Sequence, residues 1–266
     1  MRYLKMKKLL TLAAVAALGL TMLGGASVSE AKMVEKEIVI GLDDNFAPMG
    51  FRNEKNEIVG FDIDLAKEAA KRLGMKVTFK PIDWDSKEAE IKSGRIDAIW
   101  NCFSVTEERK QTYGLSDAYI NNAQWIVTLA TSNINKVSDL AGKVVGVQNQ
   151  ATGDDILNSA PYAELRSKLK DLRKYPDFAA AYMDLQTGRV DALIADAVLA
   201  GYYNQKQPGV YRKADETVSD EVVAIGFRKE DTKLIAKINK VLKGMKKDGT
   251  CKAVSLKWFG SDITVY

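Results

Sequence analysis

Histidine is absent from the 266 residues of the chain. Without it there is no Ser-His triad and no Cys-His dyad, and the commonest zinc sites lose their main ligand. Cysteine is scarce as well: Cys102 and Cys251 are the two in the chain, far apart in sequence. Two cysteines do not make a disulfide framework, and whether this pair bridges depends on a geometry that the sequence leaves open. An excess of one charge is also lacking. With residues 1–31 set aside, which hold Arg2, Lys5, Lys7, Lys8 and Glu30, acidic and basic side chains nearly cancel. That balance argues against nucleic acid as a partner.

Long apolar runs are confined to the N-terminus. There "LLTLAAVAALGLTML" follows the basic residues and leads into small residues and Ser29-Glu30-Ala31. Basic, apolar and small segments in that order read as a secretory signal over residues 1–31, with cleavage after Ala31 and export to the periplasm or the outer face of the cell membrane. The run is shorter than the ~20 residues a spanning helix needs. In "LTMLGGAS", Ala26 occupies the place of a lipidated cysteine, which excludes a thioether anchor there. The chain as a whole, 46% apolar and 28% charged, has the composition of a soluble globular protein.

Beyond the signal, strands alternate with amphipathic helices. "EIVIGL", "KVTFKPI" and "IDAIWN" read as strands, and "GFDIDLAKEAAKRLG" and "SKEAEIKSG" as helices. Such alternation implies right-handed crossovers and a mostly parallel sheet. In the first helix Ile63, Leu65, Ala66, Ala69, Ala70 and Leu73 share one face, and Gly74 follows as a C-terminal cap. A second set follows: "QWIVTLA", "VVGVQ", "DLRKY" and "VDALIAD" extended, with "KVSDLAGK", "TGDDILNSA" and "DFAAAYMDLQTG" helical. "SGRIDAIWN" and "TGRVDALIAD" echo each other, which suggests two similar lobes. The expected division is 32–122 plus 227–266 for one lobe and 123–226 for the other, with a hinge of two crossings near 119–123 and 224–227. "EVVAIGFRKED" reads as a strand and turn, and two helices complete the tail.

These segments resemble a family. "IGLDDNFAPMGF", "GFDIDLAKEAAKRLG", "SGRIDAIWNCFSVTEERK", "LSDAYI", "GVQNQATG", "GRVDALIAD", "IGFRKED" and "DGTCKAVSLKWFG" stand in the order found in the extracytoplasmic amino-acid-binding proteins of ABC importers, solute-binding family 3. The resemblance covers nearly all of 37–260. It implies a two-lobed, periplasmic-binding-protein-like α/β fold that closes by a hinge over a free amino acid.

The residues carry their own chemistry beside that likeness. Arg109 offers a planar fork of donors suited to a carboxylate, and the resemblance implies that it grips the ligand's α-carboxylate. Thr152 stands where a helix begins and unpaired N–H groups favour an anion, either as a cap or against the same carboxylate. Asp196, ending its strand, suits an α-ammonium group; buried and unpaired it would be costly. Ser104 reads as a helix cap or as a contact to the amino-acid backbone. By resemblance Phe46 and Trp84 are aromatic walls, and Asp43, Asn101 and Gln124 are polar neighbours of the ligand's side chain. Cys102 stands where the family commonly has Gly, Ala or Ser. Gln150-Ala151 and Ala118 also depart from the usual pattern, Gln150 where a glycine would allow close backbone approach.

A polar or cationic L-amino acid is the expected ligand, with glutamine, arginine, lysine, histidine and cystine all open, and a membrane permease of an ABC importer is the expected partner. The chain is expected to be a monomer without cofactor or metal and not an enzyme. A cyclohexadienyl-dehydratase-like enzyme on the same scaffold would need a general acid in the cleft, and none stands out. The ligand-sensing domain of a receptor is the other alternative.

Overall fold

The computed structural model describes residues 36–265, so the signal reading of 1–31 lies outside the described residues. The first lobe opens with β1 (Glu37–Leu42), β2 (Asn45–Phe46), β3 (Gly50–Arg52), β4 (Ile58–Val59) and α1 (Phe61–Leu73). It continues through β5 (Lys76–Pro81), α2 (Lys87–Lys92), β6 (Ala98–Ser104), α3 (Glu107–Thr112) and β7 (Gly114–Leu115). Next come β8 (Ile120–Leu129), β9 (Val144–Gln148), α4 (Thr152–Leu157), α5 (Ala163–Lys168) and β10 (Asp171–Tyr175). The remainder is α6 (Phe178–Gln186), β11 (Ala192–Asp196), α7 (Ala197–Lys206), β12 (Tyr211–Phe227), α8 (Thr232–Lys247) and α9 (Thr250–Phe259).

One continuous sheet runs in the order β10-β9-β11-β8-β12-β6-β1-β5. Its two ends are parallel, as the βαβ alternation requires: β1 lies between β5 and β6, and β9 between β10 and β11. The long strands β8 and β12 run antiparallel in the middle and join the halves. β11 pairs with β8 over Gln124–Val127, and β6 pairs with β12 over Val223–Phe227. Between those stretches, Ile120–Ala123 faces Asp220–Val223; Ile120 also bridges Thr264 near the C-terminus and Val223 also pairs with Ser104, so the two strands face each other alone only at Asn122–Ala123 and Asp220–Glu221. A two-stranded ribbon twists more freely than a full sheet. Residues 223–227 are already laddered to β6, so the free stretch of β12 lies just N-terminal to them.

The helix α1 buries Ile63, Leu65, Ala66, Ala69 and Ala70 and ends at Gly74, whose φ of 62° is the left-handed cap that glycine adopts without strain. The predicted helix "KVSDLAGK" is a single 3-10 turn, Val137–Leu140. A small antiparallel sheet, β2-β3-β4, the helices α5 and α7, and the first ten residues of β12 were not anticipated. Cys102 and Cys251 are both free and buried, so the bridge left open by the sequence does not form. Among the described residues no helix is long and apolar enough to cross a membrane.

Candidate functional site

The site is built from strand ends that meet where the halves join. After β6 stops at Ser104, Thr106 caps α3: its Oγ1 accepts from the Arg109 N–H at 3.1 Å. That cap fixes Arg109 in the first turn, turned inward and 5% exposed. The guanidinium lies 4.2 Å from the centre of the Phe103 ring and donates from Nη1 to the Ser104 carbonyl at 3.0 Å. Its nearest carboxylate, Asp155, stands 4.0 Å away. Most of a desolvated cation's donor fork is therefore unspent, and burial pulls its pKa below the ordinary arginine value.

Asp196 arrives from the other half at the end of β11 and is 6% exposed. Sheet register explains its surroundings. Gln124 lies opposite Asp196, and Asn122, two residues along β8 and so on the same face, lies opposite Glu221 of β12. Asp196 Oδ1 accepts from Asn122 Nδ2 at 2.6 Å and from Gln124 Nε2 at 2.9 Å. The same two amides reach Glu221 Oε2 at 3.3 and 3.2 Å, and Ser104 Oγ donates to it at 2.7 Å. Burial, and then the charge of Glu221, push the Asp196 carboxyl up to about 7. Asp196 is thus neither solvated nor unpaired; side-chain amides take the place of water.

Arg109 and Asp196 line one narrow cleft, together with Phe46, Trp84, Asn101, Cys102 and Thr152. Gln148 and Ala151 complete the lining. The other three residues singled out in the sequence stand one bond behind it. Asp43 donates its N–H to Asn101 Oδ1 at 3.0 Å and accepts from Gln148 Nε2 at 2.8 Å, while Ser104 and Gln124 hold Arg109 and Asp196 as described. Phe46 meets Phe178 edge-on at 5.8 Å and Trp84 meets Phe103 at 6.2 Å, so both walls are braced by other rings. Asn101 Nδ2 and Trp84 Nε1 are buried donors without a partner among the described residues. Such groups carry a cost unless something accepts from them.

Two departures from the family pattern sit on strained backbone that neighbouring groups hold in place. Cys102 and Gln150 both adopt left-handed backbone, with φ of 50° and 54°. The Cys102 N–H is held by the fully buried Asp62 at 2.8 Å, whose other oxygen accepts from Tyr119 at 2.8 Å. Gln150 is held from both sides: its N–H donates to Asp154 at 3.0 Å, and its carbonyl accepts from Lys87 Nζ of the other half at 2.9 Å. Burial, and then the neighbouring Arg109, lower Lys87 to about 8. Gly153 has a steric reason, because a Cβ there would come within 3.0 Å of the Ile194 carbonyl and push α4 off β11. Contacts such as Gln148 to Asp43 and Lys87 to Gln150 tie the halves together across the cavity.

A second cavity, of about 310 Å³, adjoins at Trp84 and is lined by Asp43, Asp44, Asp83, Glu90 and Asp177. Burial lifts Asp43 to about 6. Sequence reasoning missed Gln148, Ala151, Glu221, Asn122 and Lys87 as members of the site. Gln148 alone left a signal, a polar residue closing an apolar strand.

Two α/β lobes joined by a pair of crossing strands, with a cleft holding opposite charges at their junction, define the class of two-lobed binding proteins. The chain belongs to the bacterial extracellular solute-binding proteins, family 3, whose model matches residues 38–261. It is 33% identical over 266 residues to the histidine-binding periplasmic protein of Escherichia coli (strain K12), covering 97% of this chain and 99% of that one. It is 31% identical over 229 residues to the L-cystine-binding protein TcyJ of the same organism, covering 85% and 84%. Among solved structures, an ABC uptake transporter substrate-binding protein from Streptococcus pneumoniae with bound histidine superposes with a TM-score of 0.83. It is 38% identical and covers 86% of this chain and 95% of that one. All three relatives are binding proteins, and the histidine-binding one is periplasmic.

Proposed function

We propose that the protein captures a free polar or cationic L-amino acid between its lobes, closes over it by the two-strand hinge and delivers it to the permease of an ABC importer. The observation that carries this reading is the pairing of opposite charges across one cavity: the unspent guanidinium of Arg109 at one side and the carboxylate of Asp196, from the other half, at the other. A zwitterion satisfies both, and a ligand that touches both halves stabilises the shut form over the open one. Thr152 supports the carboxylate end, and Phe46 and Trp84 flank the side chain. The acidic cavity beyond Trp84, with Asp43 behind it, favours a positive side chain. This supports arginine, lysine and histidine over glutamine and cystine among the candidates.

A thermal-shift screen against the amino acids tests the reading. A ligand at ~1,000 times its dissociation constant adds ~4 kcal/mol to stability. The expected result is a clear rise in Tm with at least one cationic or polar L-amino acid and none with its D-isomer. No shift with any of them, cystine included, refutes the proposal.

A further inference from the structure

Glu221 is a half-buried acid on the hinge strand β12, and the role just proposed for the cavity does not use it. Its position is specific. Asn122 Nδ2 and Gln124 Nε2 each donate to Asp196 Oδ1 and to Glu221 Oε2, so two carboxylates share the same two amide nitrogens. An amide nitrogen has two hydrogens, which suffice to reach both acids but not to neutralise them. The charge of Glu221, held on the same pair of donors, favours a proton on the buried Asp196 when no cation is present. An ammonium group seated at Asp196 supplies the missing positive charge.

We propose that Glu221 is the second acid of the ammonium subsite, and that seating a ligand amine beside the two acids drives a proton from Asp196 into bulk solvent. The inference rests on the proposed amino-acid site. No bond is made or broken besides the O–H of the carboxylic acid, whose proton goes to buffer as the ammonium takes its place. Glu221 also ties this event to the hinge. It accepts from Ser104 of one half and, through Asn122 and Gln124, touches Asp196 of the other, while standing in the two-stranded ladder itself.

The groups facing Asp196 from other elements are Arg109 of α3, the Cys102 thiol of β6 and the Tyr182 phenol of α6. Burial pushes the thiol and the phenol well above their ordinary values, so neither exchanges a proton near neutrality. The Arg109 guanidinium pulls Asp196 the other way, against burial and Glu221. Asp196, with Glu221 as its charged neighbour, is left as the titrating group at the amine end.

The test is calorimetry of the whole protein with L-arginine and with L-glutamine, neither of which titrates its side chain near neutrality, in two buffers of different ionisation enthalpy at about pH 6. For the wild type the expected result is a buffer-dependent heat equivalent to the release of roughly one proton. Glu221→Gln should bind about tenfold more weakly or worse, release little or no proton, and show an affinity that no longer rises with pH. Glu221→Asp should restore the proton release. A purely structural role would weaken binding equally at every pH and leave the proton count alone, and that result overturns the proposal. So does a wild-type heat that is the same in both buffers, even where no Glu221 variant folds. If the wild type binds neither ligand nor any other amino acid, the amino-acid reading falls and this inference with it; binding without proton release sinks the inference alone.

Discussion

Replacing Arg109 by methionine separates ligand binding from folding. The side chain keeps its length and its packing on Phe103, but the donor fork is lost. Two charge-assisted bonds to a carboxylate, each worth ~1.5–3 kcal/mol, amount to ~3–6 kcal/mol, or about 10²- to 10⁴-fold in affinity. The folded apo protein has less to lose. Its Ser104 carbonyl forfeits one partner, a cost of ~1–3 kcal/mol. Removing a buried cation with no carboxylate closer than 4.0 Å offsets part of that. The net change should stay within about 2 kcal/mol, a Tm shift under ~8 °C for a protein of this size. Calorimetry with the amino acid that gives the largest thermal shift, and a melting curve without ligand, measure the two effects. Affinity within about threefold of wild type would refute the carboxylate role, and an apo variant that fails to fold would show that Arg109 is chiefly structural.

Asp62 offers a stability test away from the ligand. Burial pushes its carboxyl up to about 7, above the ~3.9 of an exposed aspartate. The folded state therefore holds a proton that the unfolded chain has released between those values. Its stabilising effect is complete below pH ~4 and is lost as pH rises to about 7, by up to ~4 kcal/mol. Asp62→Asn, which can still accept from Cys102 and reach Tyr119, should flatten that part of the profile in chemical denaturation; an unchanged slope would contradict the assignment. Gln150→Gly should raise apo stability by up to about 1 kcal/mol, since glycine takes the φ of 54° without strain. A loss of stability at that position would mean that the Gln150 side chain holds the loop in a way its backbone bonds do not explain.

Much of this architecture was legible in the sequence because local and global signals agree. "DLRKY" is β10 residue for residue, and α1 lies on the face its periodicity marks and stops at Gly74. The first part of β12, "YRKADETVSD", carries little apolar alternation, and pairing with β8 makes it a strand. Helix α7 starts directly at Asp196 with no connecting loop to announce it. In the site, residues at strand ends were readable one by one, as with Arg109, Thr152 and Asp196. Glu221 was not, because its meaning comes from lying opposite Asn122, a register that no linear reading supplies. Asp62 likewise looks like an ordinary first-turn acid until the left-handed Cys102 N–H is seen to need an acceptor.

The most direct test is a crystal structure of the protein grown with the amino acid that stabilises it most. The account predicts the ligand's carboxylate ~3 Å from the Arg109 guanidinium and its ammonium ~3 Å from Asp196, with both lobes in contact with the one molecule. A ligand seated elsewhere, or held by one lobe alone, would contradict it.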